Sequence, residues 1–343
     1  MELTPRKKAI IGEIVKAHIE TGEPIGSKIL ATRLEGAPSS ATLRNEMSEL
    51  CEMGYLEQPH TSAGRVPTSK AYRLYVTELM GKQKLSDESK EIIDHMLSSA
   101  RHDPESLGAS AAEILSELTG LPTISAPSSY NGVRLKKVSL MPMGREAAIV
   151  FVVTDDGRTR SRLVRSSSQF TPSIVKKFED IAAQKICTVD ASRLDMPYLQ
   201  GMVASAGMDA LTIAPLFSCV FDMANELKNA QIKLGGAANL FSVCRGDNEA
   251  RQIIDLLGTN EAVYSILSRI DVPVGVLFGD DTNYLELKPT GMIVASYGEG
   301  RELGRIAVIG PTRMAYERIL PSVEYLAHRV GNIMSEVLKG LEE

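Results

Sequence analysis

Arg44 and Asn45 stand side by side in the run Ser39-Ser40-Ala41-Thr42-Leu43-Arg44-Asn45-Glu46-Met47. An arginine fork matches the O6/N7 edge of guanine and a carboxamide matches the N6/N7 edge of adenine, so this pair suits base recognition in a major groove. Arg65 follows the turn residues Pro59 to Gly64, where a cation supplies charge and position to a phosphate but little base information. Other candidates for chemistry are weaker. His18, His60, His95, His102 and His328 make no metal-ligand spacing. Cys51, Cys187, Cys219 and Cys244 form no C-x-x-C pair, and no Ser or Cys sits in a nucleophile elbow. Asp155-Asp156-Gly157 could pass for paired carboxylates, but between two strand-like runs it reads as turn chemistry. Gly298-Glu-Gly-Arg-Glu-Leu-Gly304 misses the dinucleotide-binding spacing by one residue and lies between strands instead of opening a helix. The expectation is a chain with no catalytic centre, no cofactor and no metal.

Presenting Arg44 and Asn45 to a groove requires a helix with one face to spare. Ser39 or Ser40 can cap its start, and Leu43, Met47 and Leu50 recur at i, i+4, i+7 on one face, leaving Ser40, Arg44, Asn45 and Ser48 on the other. Gly54 suits the C′ position, Tyr55 to Gln58 reads as a short strand, and Arg65 and Val66 read as a second. Ahead of this, Thr4 and Pro5 open a helix in which Ile10, Ile11, Ile14, Val15, His18 and Ile19 keep helical spacing to Gly22. His18 reads as a rim residue of that face. Glu23 to Ser27 turns the chain into a second helix, Ser27 to Leu34. Three helices and then a hairpin whose tip carries Arg is the order of a winged helix-turn-helix. A capped amphipathic helix and a hairpin also occur in folds that never meet DNA; the compact helices before them favour the nucleic-acid reading.

At 343 residues the chain should divide into two or three domains. With 24% charged residues and a net charge of -5, it has no overall basic field. Residues 1–80 hold ten Lys and Arg against ten Asp and Glu, so positive potential must come from local groups, Arg6, Lys7, Lys8 and Arg65, Lys70, Arg73. A few phosphate contacts per half-site suffice. The cysteine pattern fits a reducing, cytoplasmic compartment. The longest clean apolar run, Ala147 to Val153, is far short of the ~18 residues a spanning helix needs, so no membrane partner is expected.

Beyond the hairpin, Thr68 caps a helix with Tyr72, Tyr75, Val76 and Leu79 on one face, and Gly81 to Lys84 loosens the chain. Two helices follow, about Asp87 to Ala100 and from Asp103-Pro104 to Gly120. The period then becomes strand-like at Val133 to Leu140, Ala147 to Thr154 and Arg158 to Arg165. Residues 170–230 are mainly helical, and a strand and turn return near Ile232, with helices to about Arg269. Strands resume at Val274 to Phe278, Gly291 to Tyr297 and Arg305 to Ile309. A last helix keeps Val323, Leu326, Ala327, Val330, Ile333, Met334 and Val337 on one face. A sheet that starts, is interrupted and resumes argues for an α+β domain with an insertion; three sequential domains fit the same pattern.

Gly26-Ser27-Lys28, Ser39 to Met47, Leu50 to Gln58 and Pro59-His60-Thr61-Ser62-Ala63-Gly64-Arg65-Val66-Pro67-Thr68 closely resemble the heat-inducible transcription repressor family, HrcA. Gly310-Pro311-Thr312-Arg313-Met314, Tyr316-Glu317 and Val323-Glu324-Tyr325-Leu326 extend the resemblance across the chain. It implies a winged helix-turn-helix at residues 1–82, linker helices and the first part of a GAF-like domain at 83–168, a mainly helical inserted dimerising domain at 169–230, and the rest of the GAF-like domain at 231–343. It also implies a homodimeric repressor of chaperone operons on an inverted-repeat operator called CIRCE, its active form promoted by the GroE chaperonin. The residues then expected to meet DNA are Ser27, Lys28, Ser39, Ser40, Thr42, Arg44, Asn45, Ser48, His60, Thr61, Ser62 and Arg65. Gly279-Asp280-Asp281 departs from the Gly-Glu-Asn-like loop of the pattern. That departure leaves a rival in view, a regulator of the same architecture controlled by a small molecule in the GAF-like domain.

Overall fold

The computed structural model describes residues 3–60, 63–98, 104–127, 134–166, 168–228, 232–244, 246–298 and 302–340. Helix α1 (Pro5–Thr21) starts where the Thr4 hydroxyl accepts from the Lys7 N–H at 3.3 Å, with Pro5 in the first turn. It stops at Gly22, whose φ of 71° lies in the left-handed region. Helix α2 (Ser27–Arg33) and α3 (Ser40–Glu52) follow, and the Ser39 hydroxyl caps α3 by accepting from the Thr42 N–H at 3.2 Å. Leu43, Met47 and Leu50 pack with Ile10, Ile11, Ile14 and Leu30 in one buried cluster.

Strands β1 (Leu56–Glu57) and β2 (Val66–Pro67) form an antiparallel hairpin, Leu56 opposite Pro67. Arg65, expected to begin the second strand, instead bridges Ile25 through both backbone groups. Gly64 permits that approach, since a Cβ there would stand 2.5 Å from the Ile25 carbonyl. Helix α4 (Ser69–Leu74) continues as one wide π-helical turn through Leu79. Thr68 precedes it but does not cap it: its hydroxyl donates to the Gly54 and Tyr55 carbonyls, at 2.8 and 3.1 Å, tying α4 back to the hairpin.

The chain continues through α5 (Asp87–Ser98), α6 (Pro104–Thr119), β3 (Thr123–Pro127), β4 (Leu135–Pro142), β5 (Ala147–Thr154) and β6 (Thr159–Arg165). Next come α7 (Pro172–Lys185), α8 (Met196–Ser205), α9 (Ala210–Lys228), β7 (Lys233–Gly235), α10 (Leu240–Val243), α11 (Asp247–Leu257) and α12 (Asn260–Leu267). The last elements are β8 (Val274–Phe278), β9 (Thr290–Tyr297), β10 (Gly304–Pro311) and α13 (Tyr316–Gly340). An antiparallel sheet in the order β7-β3-β10-β9-β8 lies between two helical layers. Ile293, Ala295, Ile306 and Val308 join a cluster with residues of α6 and α13. Their neighbours Met292, Val294, Ala307 and Ile309 join Ile253, Val263 and Ile266 of α11 and α12 on the opposite face. Burial on both faces explains why β9 and β10 read as nearly continuous apolar runs.

Strands β4, β5 and β6 form a separate three-stranded sheet. Val150 and Val152 pack with Phe178 and Phe217 of α7 and α9, so residues 135–165 share a core with the helices that follow. The sequence reading assigned these strands to the first part of the GAF-like domain and started the insertion at 169. Strand alternation says that one face is covered but not what covers it; the covering layer is α7 and α9. The chain leaves the five-stranded sheet from β3 and returns to it at β7, two strands paired as Thr123 with Gly235 and Ser125 with Lys233. At the return, Arg158 and Asp156, 6% and 9% exposed, pair at 2.8 Å, and Arg158 donates to the Leu227 carbonyl at 2.9 Å. Residues Gly207–Leu227 form a helix long and apolar enough to cross a membrane by length and composition, and half of it is buried within the protein. Ser, Thr, Cys and Pro break up its apolar run in the sequence, and the packing of Phe217 against Phe178, 5.0 Å between ring centres, accounts for its composition.

Candidate nucleic-acid interface

Arg44 and Asn45 are exposed on α3, and among the described residues neither side chain has an ion-pair or hydrogen-bond partner. The obvious competitor for Arg44 is engaged elsewhere, because Glu46 pairs with Arg6 of α1. Glu49 likewise holds Lys7 at 2.6 Å. Two of the three carboxylates of α3 are thus drawn toward α1, and Arg44 is left without an ion-pair partner among the described residues. Ser48, half-buried, borders the same face. Ser39 and Thr42, whose hydroxyls lie 2.9 Å apart, sit at the N-terminus of α3, where unpaired N–H groups favour a phosphate.

Ser27 and Ser40, both expected to face DNA, occupy a different place. Ser27 is 8% exposed and its hydroxyl lies 2.9 Å from that of Ser40, so the pair fastens the start of α2 to the start of α3. Two hydroxyls that satisfy each other hold the angle between helices. Lys28, the next residue, is exposed and, among the described residues, unpaired.

The cation groups read from the sequence also divide. Arg6, Lys7 and Lys8 pair with Glu46, Glu49 and Glu78. Lys70 donates to the Met53 carbonyl at 2.9 Å, where its ammonium also lies 4.2 Å from the centre of the Tyr55 ring. Arg73 pairs with Asp281. Lys28, Arg44 and Arg65 remain as cations of α2, α3 and the hairpin without an ion-pair partner among the described residues. Arg65 is half-buried, and its Nε is buried with no hydrogen-bond partner among them. His60 is exposed at the hairpin tip, where its carbonyl accepts from the Ala63 N–H at 2.9 Å; Thr61 and Ser62 lie outside the described residues.

Behind this surface the N-terminal helices lean on the five-stranded sheet. His18 Nδ1 lies 2.7 Å from the Tyr72 hydroxyl; burial and then the nearby Arg313 charge lower its pKa. Burial pushes the Tyr72 phenol well above its ordinary range. A cleft of about 750 Å³ opens here, bordered by His18, Tyr72, Asp280, Lys288, Thr312 and Arg313. Sequence reasoning missed that α4 carries the attachment. The available signal was the pair Asp280 and Asp281 shortly after an apolar strand, together with Arg73 between Tyr72 and Tyr75.

The model of the HrcA protein C-terminal domain matches residues 105–320. The heat-inducible transcription repressor HrcA of Carboxydothermus hydrogenoformans is 31% identical, with 96% of this chain and 97% of that protein covered. That of Acetivibrio thermocellus is 30% identical, with 96% of each covered. A crystal structure described as that of a hypothetical protein at 2.2 Å resolution aligns with a TM-score of 0.65 at 20% identity, covering 98% of this chain and all of that one. It shares the fold. Matched by the family model over more than half its length and by curated repressors from end to end, the chain belongs to the HrcA family of heat-inducible transcription repressors, which are not enzymes.

Proposed function

We propose that residues 1–82 form a winged helix-turn-helix reader, with α3 as the recognition helix in the major groove and the β1–β2 hairpin as a wing along the backbone. The observation that carries this reading is the exposed pair Arg44 and Asn45, with Glu46 and Glu49 of the same helix held by Arg6 and Lys7. Lys28, Ser39, Thr42, Ser48, His60 and Arg65 frame it, Ser27 and Ser40 position it, and Thr61 and Ser62 complete the expected DNA-binding set. One reader meets one half-site, so the protein acts as a homodimer on an inverted repeat, the CIRCE operator of chaperone operons. The five-stranded unit is the GAF-like domain. The dimerising insertion runs from about 128 to 231 instead of 169–230, because β4–β6 share its core.

The GroE chaperonin maintains the DNA-competent form in this reading. What supports that part is apolar surface on the insertion: Met143, Met196, Met208 and Leu211 are all more than half exposed. Flexible methionine-rich surface is what a chaperonin engages. The test is operator binding after mild heating, with and without chaperonin and nucleotide and then with excess unfolded client. Recovery dependent on chaperonin and lost on adding client is expected; full spontaneous recovery insensitive to both would overturn the coupling. Control by a small molecule has the cleft beside His18 and Arg313 in its favour, since 750 Å³ lies within the range of ligand pockets. It predicts binding that responds to metabolites with no chaperonin present.

A further inference from the structure

The N-terminal unit meets the GAF-like unit through α4 and the turn after it. Ser69 donates to Asp280 Oδ2 at 2.7 Å, and Arg73 Nη2 lies 2.5 Å from each carboxylate oxygen of Asp281. Tyr75 donates to the Glu317 carboxylate. Between these polar contacts Tyr72 packs against Phe278 and Tyr316, with ring centres 6.3 and 6.1 Å away. The acceptor is itself held rigid. Asp281 Oδ2 accepts from the Phe278 N–H at 2.8 Å, and its carbonyl accepts from Arg269 at 2.7 Å. Gly279 lies so close to the chain at Leu287 that a Cβ would stand 1.8 Å from the Leu287 carbonyl oxygen. The turn Gly279–Asp281 is therefore clamped from behind and offers two carboxylates forward.

The cleft beside His18 lies next to this contact, and Ser69, Tyr72 and Asp280 border both. One side of the junction is bonded and the other is hollow. Arg313, which also borders the cleft, approaches Gly22 at the end of α1, and the side-chain hydrogen bonds that give the junction a direction are those of the carboxylate turn and of Glu317.

We propose that Asp281 and Asp280 are positioning residues for DNA recognition: through Arg73 and Ser69 they fix the angle at which the reader leaves the GAF-like unit, and so the half-site spacing a dimer accepts. The inference rests on the dimeric, inverted-repeat reading above. Dimeric helix-turn-helix readers meet half-sites one helical turn, about 34 Å, or a multiple of it apart, so the angle at which each reader leaves its base sets which spacer both can engage. Asp281 does not touch DNA in this scheme. Its effect is on geometry alone.

The test uses the full chain, as wild type and as Asp281→Asn and Arg73→Met, the second removing the same link from the reader side. Binding is measured to a single half-site duplex and to inverted repeats whose spacer is lengthened or shortened by single base pairs. Wild type should prefer one spacing over the half-site by about 100-fold, since linked sites gain avidity only when both can be engaged. Both variants should keep half-site affinity while their preference among spacers flattens to within about threefold. Parallel loss at half-site and repeat, with a lowered melting temperature, would show a merely structural contact and overturn the proposal, as would an unchanged spacer optimum in both variants. Distance measurements between spectroscopic labels at the exposed positions Glu52 and Asp255 decide the same point without DNA. A distribution that broadens in both variants supports the joint, and one that stays as narrow as wild type refutes it. A wild type that gains nothing from an inverted repeat would instead refute the dimeric reading, and the label distances would still judge the joint.

Discussion

Arg44 and Arg65 are both arginines without an ion-pair partner among the described residues, yet their settings demand different outcomes on replacement. Arg44→Ala should cost about 1 to 3 kcal/mol at the matched site and relax base preference there, whereas Arg65→Ala should weaken all sequences alike and lower the salt slope by about 1. Binding-site selection and salt titrations on both variants check this; an unchanged preference for Arg44→Ala would mean a phosphate contact. His18 makes a separate prediction. Burial and Arg313 lower its pKa, Glu23 opposes them, and Tyr72 is its hydrogen-bond partner. The unfolded chain therefore binds this proton more tightly. Stability from the neutral ring is complete above about pH 6.5 and falls as the pH drops through that value toward the lowered folded one. His18→Gln should flatten the difference in melting temperature between about pH 7.5 and 5.5 relative to wild type; parallel curves would contradict the assignment. Spacing showed that His18 lies on the rim of α1, but the Tyr72 hydroxyl is 54 residues away, beyond what local pattern can report. Ser27 is instructive for the same reason, because nothing local tells a serine that faces a groove from one that faces another serine.

At the scale of elements, local signals served well for α1, α3 and the turn after β5, but not for Thr68, which does not cap α4. The Thr4 and Ser39 caps, the stop at Gly22 and the burial of Leu43, Met47 and Leu50 follow from backbone chemistry and helical period. Asp155-Asp156-Gly157 is a turn, with Gly157 at φ 82°, as turn chemistry requires. Its second aspartate does more than turn the chain. Burial tends to raise the Asp156 pKa, but Arg158 and Thr154 bonds outweigh it and hold it below the usual carboxylate value. Asp156→Ala would leave Arg158 buried without its counter-charge at the end of α9. A loss of about 3 to 5 kcal/mol is expected, with the Asp156→Leu, Arg158→Met double replacement costing less than Asp156→Ala alone. Urea unfolding of wild type and the two variants measures it, and a double replacement costing as much as Asp156→Ala or more would contradict the stranded-charge account. The sequence could not disclose this pair's reach, since the Leu227 carbonyl lies 69 residues from Arg158.

For the whole molecule, the sequence reading put the strands at 133–165 into the interrupted sheet, whereas they form a sheet of their own, and β3, which does belong to the five-stranded sheet, went unread. The difference depends on which core β4–β6 complete, and alternation is blind to the identity of a covering layer. Because β3 and β7 are paired neighbours, residues 128–231 can be replaced by a short Gly-Ser bridge without parting the five-stranded sheet. The shortened protein should keep its helical and strand signal by circular dichroism, bind a half-site and sediment as a monomer. A stable dimer would show that association resides outside the insertion.

The seat for α4 has a consequence in time. Tyr72 belongs to the first quarter of the chain, whereas Phe278, Glu317 and Tyr316 are among its later residues, and Glu317 and Tyr316 open α13. During translation the N-terminal helices emerge and can close their own apolar cluster long before any of these partners exists. A ribosome-bound chain thus carries a reader with no fixed bearing. Nascent chains arrested before Val274 should bind a half-site yet gain nothing from a second one, and a gain would mean that the bearing is set earlier. On the dimeric reading proposed above, two-site binding to an operator then registers finished molecules only, and slower completion of the chain would loosen repression with every side chain of the reader unchanged.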